Sequence, residues 1–145
     1  MKKSFSLMEL LIVMSIIGIM SAVIVIGSNA FIPSWRLYSS AKAVLIKIRQ
    51  AQEEAVTTQK QTIIRFNPAA APITYQLIKN DGGETILDEG TLAPNITLAM
   101  DPVFVSNQVY FSADGGPSVS GNIVISYNTN SKTVSISPAG VIKLQ

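Results

Sequence analysis

"SFSLMELLIVMSIIGIM", residues 4–20, is an apolar run that holds one charged residue, Glu9. No other charge falls between Phe5 and Gly27. As a helix, about 23 residues rising 1.5 Å each span roughly 34 Å, enough for a hydrocarbon core near 30 Å. Lys2 and Lys3 precede the run, so the positive-inside rule leaves the N-terminus cytoplasmic and sends the remainder outward. A lone carboxylate at bilayer depth costs on the order of 2.5–3.5 kcal/mol, so Glu9 calls for a partner or for headgroup water.

Three readings compete for this segment. An ordinary secretory signal has a basic start, an apolar stretch of about 7–15 residues and a small-x-small cleavage site. This stretch is longer, and Ser28-Asn29-Ala30 is a mediocre site. A plain anchor helix accounts for length and orientation but gives Glu9 no purpose. The third reading rests on Lys2-Lys3-Ser4 followed by Phe5-Ser6-Leu7-Met8-Glu9-Leu10-Leu11-Ile12-Val13. That pattern resembles the leader and N-terminal helix of type IV pilins and of the pseudopilins of type II secretion.

The resemblance implies a cut by a prepilin peptidase between Ser4 and Phe5, and N-methylation of Phe5. It makes residues 1–4 a leader, residues 5–30 a transmembrane and assembly helix, and residues 31–145 a periplasmic domain. Glu9 becomes the family's glutamate five residues into the mature chain. In a bundle of such helices the available cation is the amino terminus of Phe5 in an adjoining subunit, and pairing would set the axial register. The position before the cut is usually glycine in that family and is Ser4 here, which is small. Nor does the apolar run hold the proline that many major pilins carry; Pro33 comes later.

The totals agree with an anchored domain of modest size. Charged residues make up 14% of 145, against a usual share of about 25%, and the mean hydropathy is positive. The net charge of +2 comes from Lys2 and Lys3, since without them nine basic residues face nine acidic ones. No segment forms a strong electrostatic footprint for nucleic acid. The sequence has no Cys and no His, which removes thiol nucleophiles, Cys/His metal sites and histidine acid–base chemistry.

Beyond Pro33, "WRLYSSAKAVLIKIRQAQEEAVTTQKQ" has helical periodicity. Tyr38, Ala41, Leu45, Ile48, Gln52 and Ala55 recur every three or four residues, which predicts a mostly apolar stripe packed on a sheet. Ser39 and Ser40 are candidate caps for a separate helix start; otherwise one nearly continuous helix runs from Phe5 to about Lys60. Trp35 and Tyr38, just past the apolar run, read as interfacial aromatics or as packing at the helix–sheet junction.

From Thr62 the pattern changes to short alternating runs broken by Gly, Pro and Asn. It predicts strands at 62–66, 73–79, 96–100, 103–105, 109–112, 122–127, 132–137 and 141–144. In several of these the apolar residues fall at alternate positions, as in Ile73, Tyr75 and Leu77, so one face is buried and one wet. Asp81-Gly82-Gly83 and Asn128-Thr129-Asn130-Ser131 read as hairpin turns. The fold class is therefore α+β: a long N-terminal helix, its first half transmembrane, packed on a C-terminal antiparallel sheet domain, pilin-like. Residues "AKAVLIKIRQAQEEAVTTQKQ" and "TVSISPAGVIKL" extend the resemblance, more weakly, to the GspH/FimT group of minor pilins and pseudopilins.

The chain offers no convincing catalytic set. Glu53 and Glu54 are adjacent on a helix and point about 100° apart; Asp88 and Glu89 read as solvated residues flanking a turn. The Asp-Gly-Gly runs at 81–83 and 114–116 lack the alternating oxygen ligands of a calcium loop, so no metal and no cofactor are expected. Some FimT-like pilins bind DNA through an arginine-bearing tail, whereas the tail here, residues 140–145, has one lysine and no arginine.

The expectation is a minor pseudopilin of the type II secretion pseudopilus in the bacterial inner membrane. Its partners would be other pilins or pseudopilins through the N-terminal helix, the prepilin peptidase and an inner-membrane assembly platform. The alternatives are a minor pilin of a type IV pilus, serving DNA uptake or adhesion, and a membrane-anchored envelope enzyme.

Overall fold

The computed structural model describes residues 6–145, with the side chains of residues 23–31 outside the described set. The chain divides into two compact units, Met1–Ser34 and Trp35–Gln145. Its helix α1 covers Leu7–Thr58 and includes Pro33. Ser39 and Ser40, the candidate caps of a separate start, lie inside this one helix, in line with the nearly continuous helix expected. The Ser39 hydroxyl donates to the Arg36 carbonyl at 3.0 Å, satisfied within the helix, and Ser40 is buried. The helix ends where Gln59 takes a left-handed conformation, φ 53°, one residue past Thr58, whose hydroxyl donates to the Glu54 carbonyl.

In the second unit α1 buries Leu37, Ala41, Val44, Ile48, Ala51 and Ala55, a stripe at helical spacing. The expected stripe shares Ala41, Ile48 and Ala55 with it. Tyr38, Leu45 and Gln52 are displaced by one residue: Tyr38 is exposed and the other two are half-buried. Neighbouring positions lie about 100° apart on a helix, so both choices fit the spacing. The buried member of each pair is the smaller one.

Eight strands follow: β1 (Gln61–Asn67), β2 (Thr74–Asn80), β3 (Glu84–Thr91), β4 (Thr97–Met100), β5 (Gln108–Phe111), β6 (Gly121–Tyr127), β7 (Asn130–Ile136) and β8 (Ile142–Leu144). They form two four-stranded sheets, ordered β3-β2-β1-β5 and β4-β6-β7-β8, and every pairing is antiparallel. The α+β class is thus the one expected, with the strands divided between two sheets. Both expected hairpins form. Asn80 pairs with Glu84 around Asp81-Gly82-Gly83, and Tyr127 pairs with Asn130 around Asn128-Thr129, with Asn128 at φ 54°.

Two expectations fail. Residues 103–105 do not form a strand: Phe104 buries its ring, its N–H donates to the Asp101 carbonyl at 3.0 Å, and a 3-10 turn occupies Val105–Asn107. Asp88 and Glu89 flank no turn; they sit inside β3, the edge strand paired with β2. Asp88 is held there by Lys47 of α1, whose ammonium lies 2.5 Å from its carboxylate. Gly90 of the same strand lies under Tyr75, since a Cβ built on it would meet the phenol oxygen at 2.5 Å.

The core gathers between the buried stripe of α1 and the inner faces of the strands, with Phe66 and Phe111 its largest fully buried side chains. Ile63 and Ile78 are paired across β1 and β2 and are buried on the opposite face. The register places Arg65 and Glu84 on that face, either side of the isoleucine pair. Their ion pair, 2.8 Å long, lies diagonally across it.

Candidate functional site

Ser4 and Phe5, the expected cleavage point, lie outside the described residues. Glu9 is described: it stands in the first turn of α1 and is exposed. A carboxylate there also interacts favourably with the positive end of the helix dipole, so local chemistry already gives Glu9 one stabilising role. The Ser6 carbonyl accepts the Leu10 N–H at 3.2 Å and opens the helical hydrogen-bond ladder.

Every described side chain from Ser6 to Ala22 is exposed, and apart from Glu9 none is charged. An apolar surface of this kind, present on all sides of the helix, needs lipid or other helices to cover it. Two serines inside the run are satisfied internally. Ser15 donates to the Leu11 carbonyl at 2.8 Å and Ser21 to the Ile17 carbonyl at 2.7 Å. Those two hydroxyls need no water, which is what an apolar surrounding demands. Among the described residues no helix is long and apolar enough to cross a membrane; the expected span, 5–30, runs into positions outside that set.

The second unit has its own concave feature, an open groove of about 490 Å³ between α1 and the loops before β6 and β8. Two side chains of α1 build its floor. The Gln52 amide donates to the Gly115 carbonyl at 2.9 Å and to the Gly140 carbonyl at 3.0 Å. Arg49 donates to the Ile142 carbonyl at 2.9 Å. Gly140 has φ 75°, and a Cβ there would approach the Gln52 nitrogen to 2.8 Å. The helix therefore fastens the loop that links the two sheets, between β5 and β6, and the loop between β7 and β8. Sequence periodicity placed Gln52 on the buried stripe, but nothing local announced its two carbonyl partners, which are 63 and 88 residues away.

In this groove the Gln52 amide and the Arg49 guanidinium are spent on backbone carbonyls, and Glu53, Thr57 and Asp114 complete its polar lining. The acidic turns are likewise engaged within the chain. Lys60 lies 2.7 Å from Asp81, and its hydrogen bond holds that carboxyl below the usual range. Asp114 is lowered by hydrogen bonds from the Ser112 hydroxyl and the Gly116 N–H. Among the described residues no group of three or more acidic, His or Cys side chains is placed to hold a metal ion.

Residues 40–140 match the family model of the type II transport protein GspH. The chain belongs to the GspH family. A second model, the prokaryotic N-terminal methylation motif, matches residues 1–25 of this GspH-family chain. Its fold is similar to that of the type IV minor pilin FimU of Pseudomonas aeruginosa, with a TM-score of 0.64 and 21% identity over 75% of this chain and 87% of that one. It is equally similar to the minor pseudopilin EpsH from the Type 2 Secretion System of Vibrio cholerae, with a TM-score of 0.64 and 14% identity over 76% of this chain and 96% of that one. No curated protein matches the chain. Membership of the GspH family makes this a structural pilin or pseudopilin subunit, not an enzyme.

Proposed function

We propose that the chain is a minor pseudopilin of a type II secretion pseudopilus, anchored in the inner membrane and assembled through its N-terminal helix. The observation that carries this reading is the GspH match over residues 40–140, joined to the methylation motif over residues 1–25. In this reading a prepilin peptidase cuts between Ser4 and Phe5, and Phe5 is methylated. The uncovered apolar surface of residues 6–22 first contacts lipid and then neighbouring helices. Pairing Glu9 with the amino terminus of Phe5 in an adjoining subunit neutralises two charges in a low-dielectric bundle and fixes the axial step. Other pseudopilins and an inner-membrane assembly platform are the partners this requires, and the 35–145 unit stands on the periplasmic side.

A second reading, a minor pilin of a type IV pilus, is favoured by the likeness to FimU, which equals that to EpsH in TM-score. Deletion of the gene and complementation separates the two. Loss of a type II exoprotein from the medium with normal surface piliation supports the pseudopilus. Normal secretion with lost piliation or DNA uptake transfers the chain to the pilus.

A further inference from the structure

We propose that Trp35, Tyr38 and Lys42 form a headgroup shelf that holds the base of the 35–145 unit on anionic phospholipid. The proposal rests on the reading of the apolar run as a membrane anchor. The three side chains recur at helical spacing on an exposed face of α1, turned away from the buried Leu37, Ala41 and Val44. Trp35 is 61% exposed and Tyr38 49%, and Lys42 is exposed. They occupy the first two turns of the unit that follows the apolar run. Amphipathic aromatics with a cation beside them suit the bilayer interface, where the ring sits among headgroups and the charge meets phosphate.

Two further observations give the occupant its charge. From Leu10 to Gln52 the sequence has no acidic residue, but it has four cations, Arg36, Lys42, Lys47 and Arg49. Lys47 is neutralised by Asp88 and Arg49 is turned to the Ile142 carbonyl, which leaves Arg36 and Lys42 nearest the start of the unit. The Lys42 ammonium lies 6.0 Å from the centre of the Tyr38 ring, one turn toward the N-terminus. Helical side chains lean that way by geometry, so the charge is carried back toward Tyr38 and the start of its own unit rather than away from it.

Trp35 is the sole tryptophan of the chain, and its fluorescence reports the shelf directly. The processed full chain is reconstituted in vesicles of phosphatidylcholine alone, or of equal parts phosphatidylcholine and phosphatidylglycerol. Flotation and Trp35 emission are then measured, with quenching by lipid brominated near the headgroup. The expected result is blue-shifted, quenched emission that strengthens with phosphatidylglycerol. Lys42→Gln should lower the ratio of bound to free Trp35 about fivefold in the anionic vesicles, and Lys42→Arg should retain it. A chain that floats while Trp35 emits as in water overturns the shelf and leaves the anchor standing. A blue shift without quenching that rises with protein-to-lipid ratio also overturns it, since a second protein surface then covers Trp35. A chain that does not float with the vesicles overturns the anchor and the shelf together.

Discussion

Ile48 and Ile46 sit two residues apart on one helix, yet they are 0% and 50% exposed. Truncating Ile48 to alanine removes three carbons from a sealed site between α1 and the strands. At about 0.8 kcal/mol per buried carbon the transfer loss is about 2.4 kcal/mol. An incompletely collapsed cavity raises it to about 3 kcal/mol, inside the range of about 2–5 seen for such truncations. For a unit of about 110 residues, an unfolding entropy near 2.1 cal/mol/K per residue converts this to a Tm lower by about 13 °C. The assay is thermal unfolding of the full chain in detergent, followed by the near-ultraviolet circular dichroism of its aromatic residues. Ile46→Ala is the matched control and should lie within about 0.5 kcal/mol of the parent. Equal shifts for the two variants would refute the assignment of the buried face, and with it the packing described for α1.

Gly140→Ala places a Cβ at φ 75° against the Gln52 nitrogen. It should cost about 1–2 kcal/mol in urea unfolding and raise hydrogen exchange in residues 141–145. The Lys47–Asp88 pair predicts a pH dependence: the hydrogen bond lowers the Asp88 pKa and raises that of Lys47. Its stabilisation is therefore present above the unfolded carboxylate pKa near 3.9 and below the unfolded lysine pKa near 10.4. It is lost as pH falls through the folded Asp88 value or rises through the folded Lys47 value. The side chains are 23% and 36% exposed, so solvent limits the pair to about 1 kcal/mol or less. Asp88→Asn should lower Tm at neutral pH by an amount that closes in strong acid; a gap independent of pH would remove the ion pair from the account. Under the proposed function, Glu9→Ala should insert into membranes normally but enter filaments less, and unchanged incorporation would sink the Glu9–Phe5 pairing.

The parts of the fold written in local pattern could be read directly. The helix through residue 58 follows from three- and four-residue spacing, and β6 from alternation at Ile123, Ile125 and Tyr127. What could not be read was decided by distant contacts. The edge strand β3 carries Glu84, Asp88, Glu89 and Gly90, a composition that looks like a solvated loop. It becomes a strand because Lys47 neutralises Asp88 and Tyr75 covers Gly90, partners on α1 and β2. Val103 and Val105 look like strand residues, but Ser106 and Asn107 adopt φ 56° and 54° and turn the chain. The division into two sheets has no local signature at all. At the candidate site the same contrast holds. The reading of Ser4, Phe5 and Glu9 came from a family resemblance, whereas the Gln52 clamp on Gly115 and Gly140 appeared only once the loops before β6 and β8 were placed.

The central claim is that this chain is made as a prepilin and processed. The intact mass of the protein extracted from membranes, from cells with and without a prepilin peptidase, tests it most directly. The account predicts loss of Met1–Ser4 and gain of one methyl group, seen only when the peptidase is present. An uncut chain in both strains, or a cut near Ala30, would contradict it.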